Sequence, residues 1–150
     1  MNIEVHKITN PEQQQEAYKI RVVVFVDEQK VPADEELDEF EETSTHFLAF
    51  ANKEHAGTCR YRCTNKGVKL ERFAVLKQYR GYGIGAALVK ATLKDILHDS
   101  PQHVENQHKT LYLHAQVAAI PFYATLGFVA EGEIFDECNI LHRIMKYKHD

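Results

Sequence analysis

The stretch Arg80-Gly81-Tyr82-Gly83-Ile84-Gly85-Ala86-Ala87-Leu88 follows a strand-like apolar run (Leu70, Phe73, Ala74, Val75) and opens a helical one, Ala86 to Leu97. A strand that enters a glycine-rich turn and then a helix makes a cradle for phosphate. Glycine lets the backbone approach an oxyanion closely and turn through conformations closed to other residues. The helix start adds unpaired N–H donors and the positive end of the macrodipole. Arg80 can add a charge-assisted contact. The stretch therefore points to a phosphorylated ligand, with a ligand-free glycine turn as the plain alternative.

Spacing separates the known phosphate loops. The dinucleotide fingerprint needs G-x-G-x-x-G, whereas Gly81, Gly83 and Gly85 run G-x-G-x-G. A P-loop needs Lys-Ser/Thr where Ala86-Ala87 stands. A third pattern, Arg/Gln-x-x-Gly-x-Gly/Ala, is met by Arg80-x-x-Gly83-x-Gly85.

Outward from the loop, Val68 to Val75 reads as the strand before it and Ile84 to Leu97 as the amphipathic helix after it. Upstream, Ile3 to Ile8 alternates as a strand. Asn10-Pro11-Glu12-Gln13 is a helix start, with Asn as cap and Pro at the first position. That helix buries Ala17, Ile20 and Val24 at spacings of three and four. Val22 to Val26 is β-branched and could pass for a strand, but the upstream cap favours helix. Lys30 to Ser44 is polar and reads as a long loop or a short helix. His46 to Ala51 and Gly57 to Cys63 form a hairpin about Asn52-Lys53-Glu54, and Asn65-Lys66-Gly67 turns the chain again. Downstream, Ser100 to Lys109 is a loop and Leu111 to Ala115 a strand. Ala118 to Leu126 is a short helix ended by Gly127. Phe128 to Phe135 and Leu141 to Tyr147 close the chain as a strand pair. A hairpin meander followed by a βαβ step predicts one α/β (α+β) domain over 1–150: a mixed sheet with helices on both faces.

The 150 residues suffice for one sizeable core, and 44% hydrophobic with 27% charged residues is ordinary for a globular chain. A net charge of −4 argues against a nucleic-acid partner. No apolar run reaches a membrane span, and the N-terminus lacks a signal-peptide layout, so no membrane partner is expected. Three cysteines without a CxxC read as reduced thiols, which suggests the cytoplasm, and the nine histidines show no metal-ligand spacing. No metal is expected. From Asp27 to Glu42 there are nine carboxylates and one lysine. They are either a solvated acidic loop or a wall that attracts a cationic substrate.

A second segment bears on the ligand. Leu113-His114-Ala115-Gln116-Val117-Ala118-Ala119-Ile120-Pro121-Phe122-Tyr123-Ala124-Thr125-Leu126-Gly127-Phe128 contains A-x-x-F-Y-x-x-x-G-F. Together with Arg80-x-x-Gly83-x-Gly85 it resembles the two motifs of the GCN5-related N-acetyltransferases, in the right order. The early segment Arg21-x-x-Val24-Phe25-Val26-x-Glu28-Gln29-x-Val31-Pro32 and the close from Asp136 to Met145 are similar to a bacterial subgroup of that family. Cys138-Asn139 stands where an acidic residue and glycine are more usual.

The resemblance implies a splayed, mainly antiparallel sheet of about seven strands and transfer of acetyl from acetyl-CoA to an amine. The thioester enters where the fourth and fifth strands part. Backbone at Phe73, Ala74 and Val75 would pair with the pantetheine, and the Val75 N–H would polarise the thioester carbonyl. Amides of Gly81, Tyr82, Gly83, Ile84, Gly85 and Ala86 would hold the pyrophosphate, with Arg80 beside it. Phe122 would line the cleft, and Tyr123 would protonate the departing thiolate. Many relatives place an asparagine after the fifth strand; here Val117-Ala118-Ala119 occupies that stretch, with Gln116 nearby. A homodimer is also in keeping with the family.

Direct transfer needs a neutral amine. At pH 7, deprotonating a lysine-like amine of pKa about 10.4 costs about 4.6 kcal/mol, so a base is expected. Glu71 is the first candidate. It precedes Phe73 and Val75 by two and four residues, so all three share one strand face; a salt bridge to a neighbouring strand, or a carboxylate left at the sheet edge, is its structural alternative. His114 and His142 are weaker candidates, facing substrate or packed structurally. For Tyr123 the alternative is a core tyrosine beside Phe122. The acceptor is expected to be an amine of a small molecule or peptide. A non-catalytic acetyl-CoA sensor or assembly module is the second hypothesis: it needs Arg80, Gly83 and Gly85 but neither Tyr123 nor Glu71.

Overall fold

Asn10 caps the first helix through its side chain: Oδ1 accepts from the Gln13 N–H at 2.8 Å, and Gln13 Oε1 accepts from the Thr9 N–H at 3.2 Å. The helix α1 runs Pro11–Arg21 and continues as a wider π-helical stretch, Val22–Glu28. The valine run is thus helical, as the cap predicts. Ala17, Ile20 and Val24 form its buried face, against Leu48 and Ala74 of the sheet.

A computed structural model describes residues 1–148. Seven strands, β1 (Ile3–Lys7), β2 (Thr45–Ala51), β3 (Glu54–Thr64), β4 (Gly67–Val75), β5 (Leu111–Gln116), β6 (Phe128–Glu137) and β7 (Ile140–Tyr147), form one sheet in the order β1-β2-β3-β4-β5-β7-β6. All neighbours are antiparallel except β4 and β5. The remaining helices are α2 (Ala33–Glu36), α3 (Ile84–Lys94), α4 (His103–Asn106) and α5 (Ile120–Ala124). The short helices α2 and α4 lie in the two polar stretches, and α5 is preceded by a 3₁₀ turn, Val117–Ala119. Among the described residues no helix is long and apolar enough to cross a membrane.

The larger core lies between one sheet face and α3, where Ile84, Leu88 and Val89 meet Phe47, Leu70, Leu111 and Leu113. Close approach is set at Gly57, where an added Cβ would lie 2.9 Å from the Ala74 carbonyl oxygen and 3.2 Å from Leu88. The opposite face carries α1 and the segment after it.

Two features of β4 shape the site. It pairs with β5 only at Val68↔Leu111 and Lys69↔Tyr112, after which the strands part. It also carries a bulge: Arg60 pairs with Glu71 and Thr58 with Ala74, so Arg72 and Phe73 together oppose Cys59, with Arg72 at φ 59°. The extra residue reverses the alternation. Glu71 therefore shares a face with Ala74, not with Phe73 and Val75, and the expectation from unbroken period-2 geometry is corrected.

The acidic segment is neither simply solvated nor simply a substrate wall. Glu36, Asp38 and Glu41 turn inward onto two buried guanidiniums. Arg21 donates to Glu36 at 2.5 Å and to both Glu41 oxygens at 2.8 Å. Arg60 donates to the Asp38 oxygens at 2.9 and 2.7 Å. These pairs fasten the segment to the sheet beside the parting strands.

Candidate active site

The glycine loop leads from β4 into α3. Gly81 and Gly83 both sit at φ +88°, and a Cβ on either would meet nothing within 4 Å. They are needed for backbone conformation, and they leave open space above the loop. The first helical bond of α3 runs from the Ala87 N–H to the Gly83 carbonyl at 3.0 Å, so the amides of Ile84, Gly85 and Ala86 precede the intrahelical ladder. Gly85 is glycine for another reason: its Cβ would stand 3.3 Å from the Phe122 ring. Free first-turn donors, a positive helix end and open space over Gly81 and Gly83 fit a pyrophosphate. Arg80 stands at the side, donating through Nε to the Val75 carbonyl and through Nη2 to Glu28, each at 2.9 Å. Tyr82 is exposed on the loop.

Where β4 and β5 part, a cavity of about 190 Å³ opens between them. Phe73, Leu113 and Ala119 line it with Tyr123. The Tyr123 ring is held edge-on by Phe122 at 5.0 Å, Phe73 at 6.0 Å and Phe128 at 6.0 Å. Burial holds its hydroxyl well above the usual phenol range, so it stays protonated at neutral pH. Gly85, Phe122 and Tyr123 thus form a contiguous path from the loop to the cavity.

Glu71 lines the same cavity, but in the company of cations. Arg60 and Arg62 donate to its Oε2 at 2.7 and 2.9 Å, and Lys69 lies 3.2 Å from Oε1. Burial alone would raise its pKa; Arg60, Lys69 and Arg62 together bring it down to about 2. So weak a base is poorly suited to taking a proton from an amine. The interstrand salt bridge describes this carboxylate.

The far wall comes from β5, β6 and β7. Gln116 pairs with His142 across β5 and β7, and Phe135 with His142 across β7 and β6, so His114, Gln116, His142 and Phe135 share a face. Glu137 joins them, its Oε2 lying 3.5 Å from His114 Nδ1 and 3.8 Å from His142 Nε2. His114 draws the Glu137 pKa downward against the effect of burial. Gln116 Nε2 donates to Gln29 Oε1 at 2.8 Å, closing the cleft against the end of the π-helical stretch. Phe25, Gln29 and Glu137 line the cavity; each lies in a segment quoted for the resemblance, and none was given a role there. The cleft position of Glu137 depends on the register of the last hairpin, and that of Phe25 and Gln29 on how the π-helical stretch meets β5. A second hollow, walled by Glu35, Arg72, Glu137 and Cys138, shares this wall.

A family model described as an acetyltransferase (GNAT) domain matches residues 9–149. Among curated proteins the chain is 36% identical over 129 residues to "Uncharacterized N-acetyltransferase YjcF" of Bacillus subtilis, covering 85% of this chain and 87% of that one. It is 30% identical over 128 residues to Protein ElaA of Escherichia coli, covering 83% and 80%. The crystal structure of Escherichia coli ElaA superposes with a TM-score of 0.83 at 26% identity over 98% of this chain and 100% of that one. A GNAT family acetyltransferase from Elizabethkingia anophelis, solved with acetyl-CoA bound, shares the fold at a TM-score of 0.63 and 17% identity, covering 97% and 95%.

Proposed function

The chain belongs to the GNAT acetyltransferase family, and we propose that it transfers acetyl from acetyl-CoA directly to a primary amine of a small molecule or peptide. The observation that carries this is the parting of β4 and β5 directly beyond the glycine loop, with Tyr123 in the gap. Acetyl-CoA, when bound, supplies an activated acyl group.

The chain's own residues do the rest. First-turn amides of α3 and the backbone of Gly81 to Gly83 bind the pyrophosphate, and Arg80 adds a charge. The free edge of β4 at Phe73 to Val75 guides the pantetheine arm into the gap. Leu113 and Ala119 keep that end dry, which strengthens every dipole aimed at the acyl carbonyl. Tyr123, protonated because it is buried, gives its proton to the sulfur. Glu35 and Glu137, which line the adjoining hollow, favour an arriving ammonium.

Calorimetric titration with acetyl-CoA, controlled by NAD and ATP, tests the binding half. Saturable binding lost in Gly83→Asp, with silent controls, is expected. Release of free thiol from acetyl-CoA across a panel of primary amines tests the chemistry. Binding without thiol release for any amine would favour the sensor reading.

A further inference from the structure

On the reading that the acceptor is an amine, we propose that His142 is the general base, taking the amine proton on Nε2, and that Glu137 is the positioning residue that steadies the resulting imidazolium.

Hydrogen bonding fixes the tautomer. His142 Nδ1 lies 2.7 Å from the Ile140 carbonyl oxygen. A carbonyl oxygen has no proton to give, so Nδ1 carries the hydrogen and a neutral ring keeps its lone pair on Nε2. Nε2 stands 3.8 Å from Glu137 Oε2, too far for a hydrogen bond, with the carboxylate near enough to meet the imidazolium once it forms. Phe135 stacks on the His142 ring at 6.0 Å and meets the His114 ring edge-on at 5.1 Å, holding both in place.

A second observation points to a group that belongs here. His114 Nδ1 is buried and has no hydrogen-bond partner among the described residues. Buried polar atoms are seldom left so. The nearest acceptor given for it is Glu137 Oε2 at 3.5 Å, at the edge of hydrogen-bond range.

The β4 charges facing this pocket are already paired, whereas Glu35 keeps its charge. From β4, Glu71 is shared by Arg60, Arg62 and Lys69, and Arg72 reaches Asp38 at 3.3 Å. From the α2 side, Glu35 accepts from Cys138 at 3.2 Å. Among the described residues Glu137 is in ion-pair range of the two histidines and of no lysine or arginine.

His142 and Tyr123 line one cavity, so the base and the acid flank the gap. The ammonium gives one proton to His142 Nε2. The freed lone pair forms the C–N bond as the C–S bond breaks, and Tyr123 protonates the sulfur. The amide nitrogen sheds its second proton to restore Tyr123 through the cavity, and His142 returns its own to solvent. The products are the N-acetyl compound, CoA thiol and one proton.

Long-range nitrogen NMR of histidine-labelled protein, with and without CoA, reads the tautomer directly. The expected result is a neutral His142 ring protonated at Nδ1 and bare at Nε2. An Nε2–H tautomer, or thiol release with ethylamine indifferent to Glu137→Gln, overturns the assignment. In thiol release, His142→Gln is expected to cost about 100-fold with ethylamine near neutral pH and much less with hydroxylamine, which is already unprotonated there. Equal losses with the two amines also overturn it. Calorimetry separates the levels: no acetyl-CoA binding by the wild type removes the acetyl-transfer reading itself, whereas intact binding with the wrong tautomer removes only His142.

Discussion

Glu28 holds Arg80 at 2.9 Å, and through that contact the end of the π-helical stretch grips the residue beside the pyrophosphate loop. The pair is partly exposed, so it is worth at most about 1 kcal/mol. It competes with any phosphate for the same guanidinium. Glu28→Gln is therefore expected to tighten acetyl-CoA binding by about two- to fivefold, and Arg80→Ala to weaken it. Titration calorimetry of both variants checks this; weaker binding in Glu28→Gln would mean that the pair presents Arg80 to the ligand rather than withholding it.

Glu71 is a stability residue on this geometry, and its pH signature has a definite sign. Its folded pKa, about 2, lies below the ordinary glutamate value of 4.5. A carboxyl depressed on folding stabilises above its unfolded pKa and loses that contribution as pH falls through the folded one. Wild-type melting temperature should drop between roughly pH 4.5 and pH 2. Glu71→Gln should be less stable at neutral pH, by several kcal/mol, because it strips a partner from buried Arg60. It should also show a shallower acid decline. Thermal melts across that range decide it; parallel curves would mean that Glu71 contributes no linked proton.

What could be read beforehand and what could not divides along sequence distance. The glycine loop and the Phe122-Tyr123 segment are runs of neighbouring residues, so the loop could be read from strand and helix signals, and Phe122 and Tyr123 could be placed at the cleft by resemblance of a short motif. Glu71 was assigned the wrong face because period-2 reasoning fails across a bulge, and nothing in Arg72-Phe73 announces one. The inward turn of Glu36, Asp38 and Glu41 depends on Arg21 and Arg60, which meet them only after folding. Glu137 became visible as a cleft residue only once the β6–β7 register was known.

Tyr123 is packed by three aromatic rings, and those contacts do not need the hydroxyl. Tyr123→Phe should melt near the wild-type temperature, bind acetyl-CoA with unchanged affinity, and lose about 100-fold or more in turnover. Thiol release and calorimetry on one preparation separate these quantities. Equal turnover in the two proteins would remove the acid role.

The β6–β7 connection is a two-residue turn with Cys138 at φ 54° and Asn139 at φ 63°. Such turns favour Asn-Gly, because both central residues must take positive φ. Asparagine tolerates that conformation; cysteine gains nothing from it, and its thiol only donates to exposed Glu35. Cys138→Asn with Asn139→Gly should therefore stabilise the chain by about 1 kcal/mol. The turn immediately follows Glu137, so a firmer hairpin should also hold that carboxylate more rigidly against His114 and His142. Denaturant melts measure the first effect, and the histidine titration midpoints measure the second. A lower midpoint of unfolding in the double variant would show that the Cys138–Glu35 contact outweighs the backbone preference.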